Sequence, residues 1–350
     1  MTPARRIAYE VLGSVERGGQ AAGLLDERLV HLDPRDAGLA TQIVFGVLRR
    51  LAQLDWLIFQ ASARPLDKLD SSVLRALRIG AFQLRFLDRV PPHAAVAESV
   101  ELVKRAGKSS AAGFANAVLR RLPPLPAAWP SPDVQYSLPD WLWLRWLANL
   151  GPELAPLAAQ ASLEEPEPYT RDGRRMDIGA QSVVPLLHLE PGHLFLDLCA
   201  APGNKTLQAL ETPVRAVACD SNPRRLRAFL APCPRVQLDA ARPLPFPSVF
   251  DRILVDAPCS GTGTLARNPE IRWRLTPPEI ARQSDRQAAI LAHALACLKP
   301  GGRLVYSTCS LEPEENEQVV KRAAPARVQS TVLRCPGRHP GDGFFAAVIE

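Results

Sequence analysis

The stretch LFLDLCAAPGNKT, at residues 194–206, decides the fold. Its apolar first half is too short for a helix and leads into a loop of small residues. Three further short apolar runs follow it along the chain, at Val214–Cys219, Arg252–Asp256 and Arg303–Thr308. Helical patterns lie between the runs, at 205–211, 223–231 and 278–298. This alternation predicts an α/β Rossmann-like domain with a mainly parallel, doubly wound sheet, to which 344–349 adds a last antiparallel strand.

Acidic residues stand at successive strand ends. The second strand is predicted to end at Asp220, the third at Asp239 and the fourth at Asp256. Ligands of such sheets bind beyond the carboxyl ends of the strands, where an acid accepts hydrogen bonds from ribose hydroxyls. The 194–206 loop has neither a G-x-G-x-x-G nor a P-loop pattern, which disfavours dinucleotide or nucleoside triphosphate binding. Three acids suit a ligand with a ribose, an adenine amino group and a cationic centre, such as S-adenosylmethionine.

The seven cysteines all lie in the second half of the chain. Their odd number and the absence of a C-x-x-C pair disfavour a disulfide framework or zinc ribbon, and favour free thiols in a reducing cytoplasm. Cys259 and Cys309 follow strands that are neighbours in sheets of this class, so we expect both sulfurs to face one cleft. Thiolates are strong nucleophiles, and the pair therefore predicts nucleophilic catalysis. The other five are interpreted as packing residues: Cys199, Cys219, Cys233, Cys297 and Cys335.

The first third of the chain differs in pattern and charge. Apolar residues recur there at helical spacing, which predicts an all-α bundle. Residues 1–127 hold 18 Lys/Arg and 12 Asp/Glu, whereas 128–350 hold 24 of each, so this third carries the whole net charge of +6. A basic series runs through it: Arg49, Arg50, Arg75, Arg78, Arg85, Arg89, Lys104, Arg105, Lys108, Arg120 and Arg121. Such clustering indicates either a phosphate-backbone partner or a solvated helical surface.

Prolines mark the boundary between the two patterns. We predict a helical domain over 1–122, a Pro-rich linker with a connector helix (138–162) over 123–176, and a catalytic domain over 177–350. The connector carries Trp141, Trp143 and Trp146, which we expect to pack against a neighbouring domain rather than stack on bases. No stretch approaches the ~18 uncharged apolar residues of a membrane helix, and no signal core follows the N-terminus, so we expect a cytoplasmic protein.

Several motifs carry a family resemblance. The catalytic part contains DLCAAPGNKT (197–206), DAPCSGTG (256–263), NPEIRW (268–273), YSTCS (306–310), PEENE (313–317) and GDGFF (341–345). The first third contains LDPRD (32–36), FGVLR (45–49), RIGAFQL (78–84) and GFANAVLR (113–120). The former set resembles RNA cytosine-5 methyltransferases of the Sun/Fmu/nucleolar-protein family. The latter is similar to the NusB-like RNA-binding domain that precedes the catalytic domain in the bacterial 16S ribosomal RNA enzyme.

The resemblance implies the role of each site residue. Cys309 would bond to carbon 6 of cytosine, Cys259 would assist release of the methylated RNA, and Asp256 would lie between cofactor and base. Ten residues would hold S-adenosylmethionine: Cys199, Ala200, Ala201, Pro202, Gly203, Asn204, Lys205, Asp220, Asp239 and Asp256. The implied partner is RNA, most simply ribosomal RNA, and we expect a monomer with no metal and no membrane contact.

The chain departs from the family pattern at two places. Asn204 stands where the family has a second glycine, and we expect it to be tolerated because asparagine accepts positive φ. Bacterial relatives carry an extra RNA-binding subdomain before the catalytic sheet, whereas here 164–168 passes almost directly to 176–181. RNA positioning should then depend on the basic helical domain and the catalytic cleft, where Arg267, Arg272 and Arg274 are either phosphate contacts or surface charges.

Other functions remain open at this stage. The substrate could be transfer RNA, and the chain could be a NusB-like RNA-binding factor without activity, although Cys259, Cys309 and the three acids argue against that. A DNA cytosine-5 methyltransferase would use a Pro-Cys nucleophile such as Cys259, but the second cysteine and the helical domain disfavour it. The six histidines show no metal-ligand spacing, which disfavours a metalloenzyme.

Overall fold

The computed structural model describes residues 2–229 and 231–350, which fold into two compact units. The helical unit comprises Met1–Ala148, Ser162–Glu164 and Leu265–Arg274. The sheet unit comprises Asn149–Ala161, Glu165–Thr264 and Leu275–Glu350. Both units are therefore built from segments that are not contiguous in sequence. Within the described residues, no helix has the length and apolar character needed to cross a membrane.

Helices and strands are numbered in chain order. The α-helices are α1 (Pro3–Val15), α2 (Ala21–Leu29), α3 (Pro34–Arg49), α4 (Leu51–Ser62), α5 (Ser71–Phe86), α6 (Pro92–Arg105), α7 (Ala112–Arg120), α8 (Pro132–Gln135), α9 (Asp140–Ala161), α10 (Ile178–Gln181), α11 (Asn204–Ala209), α12 (Pro223–Arg227), α13 (Ile271–Arg274), α14 (Pro277–Cys297) and α15 (Glu317–Ala323). The strands are β1 (Thr170–Arg171), β2 (Arg174–Arg175), β3 (Leu194–Leu198), β4 (Arg215–Asp220), β5 (Arg235–Gln237), β6 (Phe250–Asp256), β7 (Leu298–Thr308), β8 (Val328–Arg334) and β9 (Phe344–Ile349).

The helical unit has the amphipathic helices that its sequence predicts. Apolar residues at helical spacing on α1, α3, α4, α5, α6 and α7 form one buried core. Helix α3 begins where the sequence indicates, because Asp33 accepts hydrogen bonds from the backbone N–H groups of Arg35 and Asp36 and Pro34 occupies the first turn. The predicted all-α fold of this region is confirmed.

The connector predicted as one helix over 138–162 is broken. Helix α9 contains Gly151 at φ 80°, ψ 173°, which is outside the helical region, and Pro152 follows it without an N–H to donate. The prediction of a continuous helix is therefore wrong, and the two parts of α9 belong to different units. Trp143 and Trp146 are buried in the first part, and the Trp143 ring lies 4.9 Å from the Tyr136 ring. Packing of the tryptophans against a neighbouring domain stays a prediction.

The sheet unit is built around a seven-stranded sheet in the order β5-β4-β3-β6-β7-β9-β8. Its strands are parallel except for β9, which pairs antiparallel with β7 and β8. The central strands are buried on both faces, which is why their sequences are continuous apolar runs. The Rossmann-like fold is thus confirmed. Strand β8 was not predicted, because it is an exposed edge strand without an apolar run.

Parallel pairing brings the carboxyl ends of four strands to one edge. Strands β3, β4, β6 and β7 are neighbours in register, and Asp256 at the end of β6 lies opposite Ser307 near the end of β7. The loops that follow these strands therefore meet at this edge. Helix α12 ends at Arg227, earlier than the predicted 223–231, and Leu230 of that range lies outside the described residues.

Candidate active site

The loop after β3 turns sharply at two positions. Cys199 has a φ of 63° and Gly203 a φ of 108°, both in the left-handed region. Asn204 is instead the first residue of α11, and its side-chain amide donates to the Arg175 carbonyl at 3.5 Å. The expected reason for tolerating Asn204, a positive φ, is therefore wrong: Gly203 takes that conformation, and the position after it only has to be helical.

Two adjoining cavities open at the edge where the loops meet. The larger has a volume of about 340 Å³, and its walls include Asp220, Asp239, Cys259 and Cys309. The smaller has a volume of about 180 Å³ and is lined by Asp197 and by much of the loop after β3. Of the ten residues predicted to hold a cofactor, all except Gly203 line one or both cavities. Gly203 forms the turn that starts α11.

The predicted ribose-binding acid is held by backbone donors. Asp220 ends β4, and its carboxylate accepts hydrogen bonds from the N–H groups of Ala201 at 3.1 Å and Asn222 at 2.8 Å. Asp239 lies two residues beyond the end of β5 rather than at the strand end that was predicted, because this short edge strand stops at Gln237. Its carboxylate faces Arg286 at 3.6 Å.

Asp197, on β3 below the loop, is a buried carboxyl that sequence reasoning did not single out. Thr206 donates to its Oδ2 at 2.5 Å, while its Oδ1 has no hydrogen-bond partner among the described residues. Burial raises the pKa of Asp197 to about 7, and the neighbouring Asp256 carboxylate adds to this effect. Asp197 lines the smaller cavity. A hydrogen-bond donor bound in that cavity could therefore supply the partner that this oxygen lacks.

Lys205 and Asp256 form an ion pair between the cavities. The Lys205 ammonium donates to Asp256 Oδ2 at 2.7 Å, and the Ser307 hydroxyl donates to Oδ1 at 2.9 Å. Burial disfavours the charged Lys205, but the Asp256 carboxylate outweighs it, so the pKa of Lys205 is raised. Asp256 therefore has a fixed orientation, set by one donor on each oxygen.

The two cysteines predicted to face one cleft are in contact. Cys259 Sγ lies 3.3 Å from Cys309 Sγ, and both residues line the larger cavity. The pKa of Cys259 is raised well above its usual value, first by the hydrogen bond to Cys309, then by burial and by the charges of Cys309 and Glu315. The Cys259 sulfur accordingly keeps its proton at neutral pH.

The remaining cysteines stay protonated because they are buried. Burial raises the pKa of Cys219 to about 12 and also raises the pKa of Cys233, Cys297 and Cys335. Cys219, Cys297 and Cys335 are buried and Cys233 is half-buried, so these four pack as small apolar residues. Burial likewise raises the pKa of Cys199, but its position in the wall of both cavities gives it a place in the ligand site as well.

The comparisons with known proteins agree with this geometry. A family model described as 16S rRNA methyltransferase RsmB/F matches residues 184–336, and the NusB family model matches residues 2–123. The ribosomal RNA small subunit methyltransferase B of Thermus thermophilus is 38% identical over 353 residues, which cover 91% of this chain and 86% of that protein. The chain belongs to the RsmB/F methyltransferase family. As a member it is an enzyme, an S-adenosylmethionine-dependent RNA methyltransferase with an N-terminal NusB domain.

Other RsmB relatives are longer than this chain. The protein of the same name from Yersinia pseudotuberculosis is 33% identical over 420 residues, covering 99% of this chain and 98% of that protein. An alignment of that length on a chain of 350 residues leaves about 70 positions of the relative without a counterpart. In this RsmB/F member the region 165–177 forms only the β1–β2 hairpin.

Two solved structures share the fold. The crystal structure of PH0851 has a TM-score of 0.78 at 21% identity and covers 100% of this chain and 99% of its own. A methyltransferase homolog protein from Pyrococcus horikoshii has a TM-score of 0.53 at 23% identity, covering 63% of this chain and 99% of its own. These similarities establish the architecture of the RsmB/F chain.

The donor set of the RsmB/F site fits S-adenosylmethionine. The unpartnered Asp197 Oδ1 could accept a hydrogen bond from the ammonium of its amino-acid part, and Asp220 and Asp239 could accept hydrogen bonds from ribose hydroxyls and the adenine amino group. The acidic lining also suits a positively charged sulfonium. In the described residues, no group of three or more His, Cys, Asp or Glu side chains could hold a metal ion.

Arg272 has a role that neither sequence interpretation anticipated. Expected as a phosphate contact or a surface charge, it is fully buried within the helical unit. Its guanidinium donates to backbone carbonyls of Ser162, Leu265 and Ser137 at 2.8–3.1 Å, with longer contacts to Arg49 and Tyr136. Burial lowers the pKa of Arg272 to about 9, which leaves it charged at neutral pH. The neighbouring Trp273 also donates to a carbonyl of this unit, that of Leu48 at 2.9 Å.

Several side chains of the basic series form hydrogen bonds or ion pairs within the helical unit. Arg75 pairs with Glu16, and Arg78 pairs with Asp55 at 2.7 Å. Arg85 donates to the Pro123 carbonyl at 2.7 Å. Arg75, Arg78 and Arg85 thus have internal partners, and a phosphate-backbone role for the series stays a prediction. The exposed cations of the series are Arg89, Lys104, Arg105, Lys108, Arg120 and Arg121.

Proposed function

We propose that the enzyme transfers a methyl group from S-adenosylmethionine to carbon 5 of a cytosine in 16S ribosomal RNA, through a covalent bond between Cys309 and the base. The single observation that carries this proposal is the 3.3 Å contact between the Cys259 and Cys309 sulfurs in the wall of the predicted cofactor cavity. The description of the matching family model, 16S rRNA methyltransferase RsmB/F, supports the choice of 16S ribosomal RNA, and the relatives are named for the small subunit.

The thiol pair would overcome the low reactivity of cytosine toward methylation at carbon 5. Carbon 5 of cytosine is too weak a nucleophile to attack a methyl group directly. When the Cys309 thiolate adds to carbon 6, the carbon 5–carbon 6 double bond is opened and carbon 5 becomes electron-rich. Bound S-adenosylmethionine supplies the electrophilic methyl group that carbon 5 takes up. Loss of the carbon 5 proton to a base then restores the double bond and expels the Cys309 thiolate.

Cys259 is suited to the last steps. Its hydrogen bond with Cys309 is the largest cause of its raised pKa. That hydrogen bond is lost once the Cys309 sulfur is bonded to carbon 6, so the pKa of Cys259 falls at the stage when a proton acceptor near the base is needed. Asp256, held by Lys205 and Ser307, orients the base beside the cofactor.

RNA binding must deliver an unstacked base to this site. Extruding a base is least costly for a nucleotide in a loop or single strand. The NusB-like unit would contact the RNA backbone through exposed cations such as Arg120 and Arg121. An enzyme with this substrate works in the cytoplasm, as the free thiols also indicate.

Cysteine variants test the roles within the reaction. Cys309→Ala should abolish methylation of unmodified 16S ribosomal RNA, because no covalent bond forms. Cys259→Ala should accumulate a covalent RNA–protein adduct, measured by its retarded migration in a denaturing gel. Cys233→Ala, a half-buried cysteine outside the site, should methylate normally. Undiminished methylation by Cys309→Ala would refute the mechanism.

The substrate is tested in cells. Bisulfite sequencing of ribosomal and transfer RNA, with and without the gene, should show loss of one or more 5-methylcytosines in 16S ribosomal RNA. Loss of 5-methylcytosine only in transfer RNA would show that transfer RNA is the substrate. No difference in either RNA would support a binding factor without activity and overturn the proposal.

A further inference from the structure

One buried carboxylate touches the segments that carry both cysteines. Glu315, between β7 and α15, is fully buried. It accepts a hydrogen bond at Oε1 from the Ser260 N–H at 2.8 Å, and at Oε2 from the Ser310 hydroxyl at 2.5 Å and from the Ser260 hydroxyl. Ser260 directly follows Cys259, and Ser310 directly follows Cys309. The carboxylate therefore binds the residue next to each cysteine.

The carboxylate is itself fixed by two further elements. Gln287 on α14 donates to Glu315 Oε1 at 3.1 Å and to the Pro258 carbonyl at 2.8 Å. The Tyr306 hydroxyl of β7 donates to the Glu315 backbone carbonyl at 2.6 Å. Across the described residues, the partners of the Glu315 carboxylate are hydroxyl and amide donors, with no cation. Glu315 therefore acts as a shared hydrogen-bond acceptor for the two loops rather than as a member of an ion pair.

We propose that Glu315 is a positioning residue for methyl transfer, whose single carboxylate joins the Cys259 and Cys309 loops and keeps the two sulfur atoms in contact. This inference rests on the cysteine roles proposed above. Without the carboxylate, the Ser260 N–H and two hydroxyls lose their shared acceptor, and the loops lose the link that sets the distance between the sulfurs.

The charge of Glu315 gives the same residue a second effect. It is one of the causes of the raised pKa of Cys259, so it helps to keep Cys259 protonated while Cys309 attacks the base. Other titratable or charged groups face Cys259 from the surrounding elements and the cavity wall: Cys309, Tyr306, Cys199, Asp239, Asp256 and Arg286. These groups are unchanged in a Glu315 variant, so a shift in Cys259 acidity on substitution reports Glu315 itself.

The kinetic test uses the full-length enzyme, labelled S-adenosylmethionine and unmodified 16S ribosomal RNA. Glu315→Ala should lower kcat about 100-fold, the scale of a misplaced reacting group, with the S-adenosylmethionine dissociation constant unchanged. Glu315→Gln keeps one acceptor oxygen and should recover part of the loss. Glu317→Gln, which changes an exposed carboxylate in the same motif, should match the wild type. Wild-type kcat in Glu315→Ala would overturn the proposal.

A thiol readout separates this inference from the reaction itself. In a Cys309→Ala background, iodoacetamide labelling of Cys259 is followed against pH by peptide mass spectrometry. Adding Glu315→Gln should move the labelling profile to lower pH, because a negative charge beside the thiol is lost. An unmoved profile contradicts the role of Glu315 even if Glu315→Ala fails to fold. Absence of cytosine methylation by the wild type would refute the proposed function, while the labelling profile would still decide the role of Glu315.

Discussion

Among single residues, Asp197 combines complete burial with an oxygen that has no partner in the described structure. A carboxyl in this position is destabilised as an anion, which is why burial raises the pKa of Asp197 to about 7. Asp197 lines the smaller cavity, so a ligand there could supply the missing donor. The group that weakens the free protein would then contribute to cofactor binding.

This predicts how stability depends on pH. The folded pKa of Asp197 lies above its unfolded value of 3.8, so its contribution is fully present below pH 4 and is lost as pH rises through about 7. Asp197→Asn should remove this dependence and raise the free energy of unfolding at pH 8, by at most about 4 kcal/mol for a shift of roughly three pKa units. Urea unfolding without cofactor, at pH 5 to 8, measures the difference.

The outcome is read from two trends. The advantage of Asp197→Asn should shrink between pH 7 and pH 5, because the wild-type carboxyl is then protonated. Its affinity for S-adenosylmethionine should fall, because the amide is neutral. A constant difference in stability across the pH range would show that Asp197 does not titrate in this window.

At this scale, the sequence predicts the candidate reactive side chains but not the residues that hold them in place. Cys259, Cys309, Asp220 and Asp256 carry recognisable chemistry at strand ends. Glu315 could not be assigned, because its function depends on two serines that come from different loops. A carboxylate within a run of acids carries no signal of burial, and the contacts exist only after β6 and β7 have paired.

Between elements, the loops after β6 and β7 cross at a glycine. The Gly263 N–H donates to the Cys309 carbonyl at 2.9 Å, and the Gly263 carbonyl accepts from the Gly343 N–H at 2.8 Å. A Cβ on Gly263 would lie 2.5 Å from the Gly343 oxygen and 2.8 Å from the Cys309 oxygen, which are backbone atoms that cannot rotate away. The close approach of the two cysteine loops therefore requires glycine here.

Gly263→Ala should lower methyl transfer about 100-fold by moving the Cys309 backbone. It should also lower the melting temperature, because two backbone hydrogen bonds are strained. The matched control is Gly38→Ala in helix α3, where a Cβ meets no atom within 4 Å and alanine favours the helix. Wild-type activity in Gly263→Ala would show that the loop crossing is not needed for the reaction.

Some helices and strands could be predicted from their own residues, whereas others depend on contacts distant in sequence. The strands β3, β4, β6, β7 and β9 were predictable because buried strands require apolar runs. The edge strand β8 forms through pairing with β9 although its residues are mostly exposed, and no short-range pattern marks it. The break in α9 does have a local signal in Gly151-Pro152, but an apolar pattern on both sides hid it.

At the scale of the whole molecule, the segment Leu265–Arg274 bears most directly on where the chain divides into units. It follows the Cys259 loop in sequence, yet it belongs to the helical unit. The boundaries predicted at residues 122 and 176 remain predictions, and they would separate Arg272 from carbonyl groups of Ser162, Ser137 and Arg49. Removing that part of the helical unit would also expose Leu265, which is buried in the full chain.

A fragment of residues 177–350 should therefore unfold at a lower temperature than the full chain and should aggregate. Arg272→Met should destabilise the full chain, because carbonyl groups lose their donor, and should leave the melting temperature of the fragment nearly unchanged, because its guanidinium is exposed to solvent there. Thermal unfolding of the four proteins, full chain and fragment with either residue, measures both effects. A fragment as stable as the full chain would show that 177–350 is an independent domain.

The position of Arg272 also sets the order of events during synthesis. Most of the helical unit is encoded first, but its fully buried Arg272 is encoded late, so most of the polypeptide must be translated before that unit has all its parts. The N-terminal helices leave the ribosome before the segment Leu265–Arg274 has been made. That segment follows about 150 residues later, at a synthesis rate of roughly 5–20 residues per second. Folding of the N-terminal third is thus tied in time to synthesis of the Cys259 loop, which directly precedes that segment.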